Sequence, residues 1–262
     1  EAEREDRQRL ERGLKLIGPR CGSRNRLRRL LRARNGTALI IGAHVGKVHN
    51  DPVFDLLTAP EAARIDKVFV EPLPQLFREL ERNIAGMPRA RAVRAAVAEE
   101  AGNRTLYCLG LDNTTEEVSF LPDARRIPGT VWWSQICSLS RERLTSPLDV
   151  GGGRYPVDLE SLVTENVVPA VTVEQLLREH ASPPVRYVQI DVEGLDDMVL
   201  RQLPLGEPGF RPGLVTFEFN LLGEDRLREA VAFLRRHGYE HCHEALMQNI
   251  EASPRPNRKQ GA

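Results

Sequence analysis

Five short apolar runs separated by helical periods constrain this chain more than any other feature. They are Ala38-Leu39-Ile40-Ile41, Lys67-Val68-Phe69-Val70, Ala92-Val93-Arg94-Ala95-Ala96-Val97, Tyr187-Val188-Gln189-Ile190 and Leu214-Val215-Thr216-Phe217-Glu218-Phe219. Runs of this kind, apolar on both faces, suit strands in the middle of a parallel sheet. Between them, Leu73–Ile84 places Leu76, Phe77, Leu80 and Ile84 on one helical face, and Thr172–His180 does the same with Val173, Leu176 and Leu177. Arg226–His237 carries Leu227, Ala230, Val231 and Leu234 and stops at Gly238. Strands alternating with helices predict an α/β fold, a mostly parallel sheet with helices on both faces. At 262 residues the chain can bury such a core without a staple.

Composition narrows the classes. Thirty-seven basic and 37 acidic residues cancel to a formal net charge of zero, which argues against a protein that coats nucleic acid. No apolar run approaches the roughly 20 residues of a membrane-spanning helix. The charge is uneven, however: Leu16–Gly36 holds seven arginines, from Arg20 to Arg34, and no acid. Either this is an anion-binding surface for an anionic partner, or it is an amphipathic helix. Leu27, Leu30 and Leu31 stand at i, i+3, i+4 and favour the helix, with the arginines in water and Asn35-Gly36 closing it. Four cysteines, Cys21, Cys108, Cys137 and Cys242, lie far apart with no C-x-x-C. The plain reading is free thiols in a reducing compartment such as the cytoplasm, while an even count permits two bridges in a secretory one.

The chain divides into a charged helical segment over 1–36, an α/β domain over 37–252 and a disordered tail over 253–262. Within the domain, 103–168 breaks the rhythm. It reads as a β-hairpin around Thr105–Gly110 and then a long lid-like excursion with Trp132, Trp133 and Gly151-Gly152-Gly153.

Chemistry gathers where the runs end. The first leads into Gly42-Ala43-His44-Val45-Gly46, whose glycines allow a tight turn and close backbone approach. In open α/β sheets ligands sit beyond the carboxyl ends of the strands. The second ends in Glu71-Pro72, 25 residues after Gly46, where an acid can accept hydrogen bonds from ribose hydroxyls. Sharpest is Gln189-Ile190-Asp191-Val192-Glu193-Gly194, with two acids directly after a buried strand. N-capping of the next helix by Asp191 or Glu193 explains one of them comfortably and both less well. Glu218 is a third acid expected at the same rim; together the three suit an amine, a hydroxyl or a divalent cation. His241-Cys242-His243 lacks a third ligand at metal spacing and reads as ordinary strand.

With these blocks in order, the chain resembles the FkbM-type methyltransferases, S-adenosylmethionine-dependent Rossmann-like enzymes. The likeness runs from Leu39 to Tyr239. It rests on Ile41-Gly42-Ala43-His44-Val45-Gly46 with Asn50-Asp51-Pro52, Val70-Glu71-Pro72 with Leu76-Phe77, and Ala95-Ala96-Val97. Further blocks are Ser134-Gln135-Ile136-Cys137-Ser138-Leu139, Val173-Glu174-Gln175-Leu176-Leu177, Ile190-Asp191-Val192-Glu193-Gly194 and Phe217-Glu218. The resemblance implies a class I methyltransferase fold: a seven-stranded sheet with its last strand antiparallel, and adenosylmethionine across the ends of the first two strands. By position, Gly42, Ala43, His44 and Gly46 would wrap the methionine portion, Glu71 would hold the ribose, and Ala96-Val97 would border the adenine.

Asp191 and Glu193 would face the transferred methyl group as catalytic candidates, with Trp133, Ser134, Gln135 and Glu218 on the acceptor side. The implied reaction is O-methylation of a sugar or natural-product hydroxyl, the acceptor being a small molecule or glycan and S-adenosylhomocysteine the product. One departure stands out. The family commonly has an acid in the first strand, where this chain has Leu39-Ile40-Ile41, so Asp51, Asp191 or a water must substitute. That loss underlies an alternative: a weakened or inactive methyltransferase-fold protein that holds an anionic partner through its arginine helix. A further variant has the carboxylates hold Mg²⁺ or Ca²⁺, although no ligand spacing indicates a metal.

Overall fold

The computed structural model describes residues 24–33, 35–47, 52–122, 136–145, 159–219, 221–244 and 249–255. Four of the apolar runs form strands of one sheet much as expected: β1 (Thr37–Ile41), β2 (Asp66–Val70), β8 (Val185–Ile190) and β9 (Leu214–Glu218). The run over 92–97 does not stay whole. β3 (Ala90–Val93) pairs with β2, then the chain turns at Ala95, whose N–H bonds back to the Val93 carbonyl. Ala96–Val97 thereby leaves as a separate strand, β4, in a second sheet.

The first sheet has seven strands in the order β10-β11-β9-β8-β1-β2-β3, where β10 is Tyr239–Glu244 and β11 is Asn249–Pro254. β3, β2, β1, β8 and β9 run parallel, and β11 lies antiparallel between β9 and β10, so the sheet is mixed. Strand order reverses at β1, which has β2 on one side and β8 on the other. β11 also takes in Ser253 and Pro254, beyond the boundary drawn at 252.

Side chains alternate between two buried layers. Leu39, Ile41, Val68, Val70, Val188 and Ile190 face α5 (Val173–His180), α6 (Asp196–Gln202) and α7 (Glu224–Arg236). Ala38, Ile40, Phe69 and Tyr187 face α1 (Arg24–Leu31), α2 (Pro52–Thr58) and α3 (Pro74–Ile84). Both faces of each central strand are therefore apolar, which is why the runs lack alternation. In α1, Leu27 and Leu31 are buried while Arg26, Arg28 and Arg29 stay exposed, as an amphipathic helix requires. Arg20, Arg34 and the side chain of Arg24 lie outside the described residues. Asp197, wholly buried in α6, is held by Arg201 (2.7 Å) and by a two-pronged contact from Arg226 that ties α6 to α7.

The interval 103–168 needs a correction. β5 (Gly102–Leu109) forms no local hairpin; it pairs antiparallel with the distant β7 (Val163–Val171) in a four-stranded sheet, β4-β7-β5-β6, where β6 is Cys137–Ser138. Leu106, Cys108, Val168 and Ala170 cover one face of this sheet, while among the described residues the other is covered near β6 by Leu109, Ile136, Leu144 and Leu162 and left open at Val167, so its apolar signal is discontinuous. The reading of free thiols is also overturned: Cys108 and Cys137 are bridged, Cys242 is disulfide-bonded, and no described cysteine is free. Cys108 and Cys137 face each other across the β5–β6 ladder, a proximity that needs the long-range pairing and cannot be read from spacing. Maleimide added to urea-unfolded protein without reductant is expected to leave Cys108, Cys137 and Cys242 unmodified by mass spectrometry. Stoichiometric labelling of any of the three refutes the bridging.

Candidate active site

The site lies at the carboxyl end of β1, where the strand order reverses. Asp191 N–H donates to the Ile41 carbonyl (2.9 Å), and Gly42 lies against the backbone of Asp191. A Cβ on Gly42 would fall 1.6 Å from the Asp191 carbonyl oxygen, and its φ of +81° is left-handed. Glycine is therefore obligatory on both grounds. Gly42 and Ala43 both donate to the Val70 carbonyl (3.1 and 2.9 Å), and Gly46 N–H turns back to Ala43 (2.8 Å). Asn83 from α3 fastens the far side, its Nδ2 donating to the Val45 carbonyl (2.8 Å).

Glu71, at the end of β2, organises this turn. Its Oε2 accepts from His44 N–H (3.0 Å), holding His44 at a left-handed φ of 49°, and its Oε1 accepts from Leu73 N–H (2.9 Å). The side chain is 5% exposed. Burial raises its pKa to about 7, against the pull of those two backbone donors. The carboxylate thus joins the glycine turn to the start of α3.

Across β1, three carboxylates meet. Asp191 and Glu193 follow β8, Glu218 ends β9, and each offers an oxygen such that all three lie within 4.8 Å of one another. Glu193 has a φ of 53° and Gly194 a φ of 88°, two successive left-handed residues that turn the loop sharply. A left-handed conformation at a non-glycine residue costs about 1 kcal/mol. Burial, and then the charges of Glu218, Asp191 and Asp196, hold the Glu193 pKa well above the ordinary carboxylate range.

The capping assignment needs correction. The N-cap of α6 is Leu195, without a side-chain cap, and neither Asp191 nor Glu193 fills that place. Asp196, fully buried, accepts instead from the N–H groups of Val192 (3.4 Å), Gly194 (3.2 Å) and Glu218 (3.3 Å). Sequence reasoning missed Asp196 and Asn83. The one available signal was a second acidic pair, Asp196-Asp197, straight after the first.

Of the other sequence candidates, Ala96 and Val97 are buried in β4, just past the end of β3. Asp51, Trp133, Ser134 and Gln135 lie outside the described residues. The first-strand position that lacks an acid is apolar throughout, Ile40 being buried against the α1–α3 layer. His241 sits in β10 at the sheet's far edge, and among the described residues only Asp191, Glu193 and Glu218 form a group that could share an ion.

Residues 41–241 match the methyltransferase FkbM domain, and the chain belongs to that family. No curated protein and no solved structure matches it. The family supports methyltransferase activity, and among the described residues no helix is long and apolar enough to cross a membrane. Gly42→Ala is expected to abolish nucleoside-ligand binding and to lower the thermal midpoint by several degrees, because strand and turn must separate. Calorimetric titration and thermal denaturation read both effects; a variant that keeps wild-type stability and ligand binding contradicts the close approach.

Proposed function

We propose that this protein is an S-adenosylmethionine-dependent O-methyltransferase acting on a hydroxyl of a small sugar or natural-product acceptor. The observation that carries the proposal is a convergence at one end of the sheet. A glycine turn, a buried acid after β2 and three carboxylates after β8 and β9 meet where strand order reverses, in a chain of this family. The strand order, with antiparallel β11 between β9 and β10, supports a Rossmann-like class I architecture.

The residues fit the cofactor. Glu71 spends one hydrogen bond per oxygen on the backbone, and a carboxylate oxygen has further capacity to accept from ribose hydroxyls. A positively charged sulfonium suits a rim of three carboxylates. Gly42, Ala43, His44 and Gly46 would wrap the methionine portion, with Ala96 and Val97 beside the adenine. Asp191 stands next to the end of β1 through its bond to Ile41, so it would replace the missing first-strand acid. Glu218 would face the acceptor, with Trp133, Ser134 and Gln135 retained on sequence grounds.

When bound, S-adenosylmethionine supplies an electrophilic methyl group on sulfur. The chain's part is to hold the acceptor oxygen in line and to take its proton. Glu193 is assigned as the base. Its burial and carboxylate neighbours raise its proton affinity, which favours taking a proton from a weakly acidic hydroxyl.

Both S-adenosylmethionine and S-adenosylhomocysteine are expected to bind in calorimetric titration, and absence of binding at millimolar ligand overturns the proposal. Ribose hydroxyls donate best to ionised Glu71, so affinity should rise with pH through a midpoint of about 7 and level off above it. Glu71→Gln is expected to bind more weakly and to flatten that profile. Once an acceptor is found by screening polyhydroxylated compounds for methyl incorporation, Glu193→Gln should slow turnover by about 10²- to 10⁴-fold. Unchanged turnover in both Asp191→Asn and Glu193→Gln would remove the assignment of a carboxylate base.

A further inference from the structure

Asp196 and Asp197 are adjacent and both fully buried, yet they are treated in opposite ways. Asp197 is neutralised by Arg201 and Arg226. Asp196 forms no salt bridge among the described residues; three backbone N–H groups face it. Those donors do not belong to the first turn of its own helix, as an ordinary cap's would. Two come from the turn that contains Glu193, and one is the N–H of Glu218 itself on a neighbouring strand.

We propose that Asp196 is a positioning residue: its carboxylate joins the Asp191–Glu193 turn to the end of β9 and so sets the mutual geometry of Asp191, Glu193 and Glu218. Oδ1 accepts from both Val192 and Glu218, so a single atom spans the loop after β8 and the last residue of β9. Oδ2 accepts from Gly194, directly after the left-handed Glu193. Without this acceptor, one buried and two half-buried donors lose their partner, and the turn at Glu193 loses its tie to the end of β9. A cation in place of the N–H groups would also hold an aspartate, as it does at Asp197, but it would cancel the negative field of the three carboxylates. Backbone donors fix the geometry and leave that field intact.

The inference rests on the methyltransferase reading, because its consequence is read with the cationic cofactor and its neutral product. S-adenosylmethionine carries a sulfonium charge that S-adenosylhomocysteine lacks, so the ratio of their affinities reports how the carboxylates are placed. Asp196→Asn turns an amide nitrogen toward an N–H donor and is expected to weaken S-adenosylmethionine by about tenfold relative to S-adenosylhomocysteine. In a Glu193→Gln background the same substitution should change the ratio less than about twofold, since residues that act through one another are not additive. Asp196→Glu keeps the charge one methylene farther out. It should shift the ratio in the same direction by a smaller factor, again only while Glu193 is present, and it carries the test should Asp196→Asn fail to fold.

A lowered thermal midpoint with an unchanged ratio reduces Asp196 to a structural role and overturns the proposal. So does a shift that adds in full when Glu193 is absent, which would mark a direct effect of the Asp196 charge. Wild-type protein that binds neither ligand overturns the methyltransferase reading and this inference with it, whereas wild-type binding with an unaltered ratio in both variants overturns this inference alone.

Discussion

The contact between Gly42 and the Asp191 carbonyl sets the geometry of everything around it. β1 and β8 are parallel neighbours with Ile41 opposite Ile190, so both chains leave the sheet at one level. A parallel pair usually diverges there into separate loops. Here the Asp191 N–H bonds the last carbonyl of β1, and Gly42 has no side chain to push the two backbones apart. The glycine turn and the carboxylate turn are thus one packed unit. Moving either would shift the other, and with them Glu71, which bonds the first turn at His44.

That unit gathers acids in a buried or half-buried place, which is expensive unless each carboxylate is hydrogen-bonded, paired with a cation or protonated. The solutions differ by position. Glu71 and Asp196 accept from backbone N–H groups and Asp197 is paired with arginines, whereas Asp191, Glu193 and Glu218 lie close together, and their mutual repulsion adds to the cost and raises the proton affinity of Glu193. The opposite end of β2 carries a buried charge of the other sign: Lys67 donates to the carbonyls of Ala62, Ile65 and Pro88, and burial lowers its pKa to about 8. A zero net charge therefore describes a molecule whose charges are sorted by place.

Legibility in the sequence followed how local each determinant is. Strands buried on both faces announce themselves in a single window, so β1, β2, β8 and β9 could be placed from their residues alone, as could the leucine stripe of α1. The acids at strand ends were equally visible because carboxylates interrupt apolar runs. What stayed hidden depended on contacts between distant segments. β5 finds β7 some 60 residues on, and its half-exposed face carries no continuous apolar signal. The break between Val93 and Ala96 depends on β4 joining β7, which nothing near residue 95 encodes. Asp196 went unread because one of its N–H partners is at the end of β9, 22 residues away.

The second sheet is where the chain departs from relying on a core alone. Its second face is covered over part of its length, and β6 is only two residues long, too short to hold its place by ladder bonds. Here the Cys108–Cys137 bridge joins β5 to β6, and Arg141 from the following helix, α4 (Arg141–Thr145), adds bonds to Glu160 and Glu165 while lying over the Tyr107 ring. The central β1–β8–β9 region has no bridge because apolar packing already fills both of its faces. In the second sheet the bridge and the Arg141 pairs therefore act where ladder bonds are fewest, whereas the Asp197 pairs lie inside the main core.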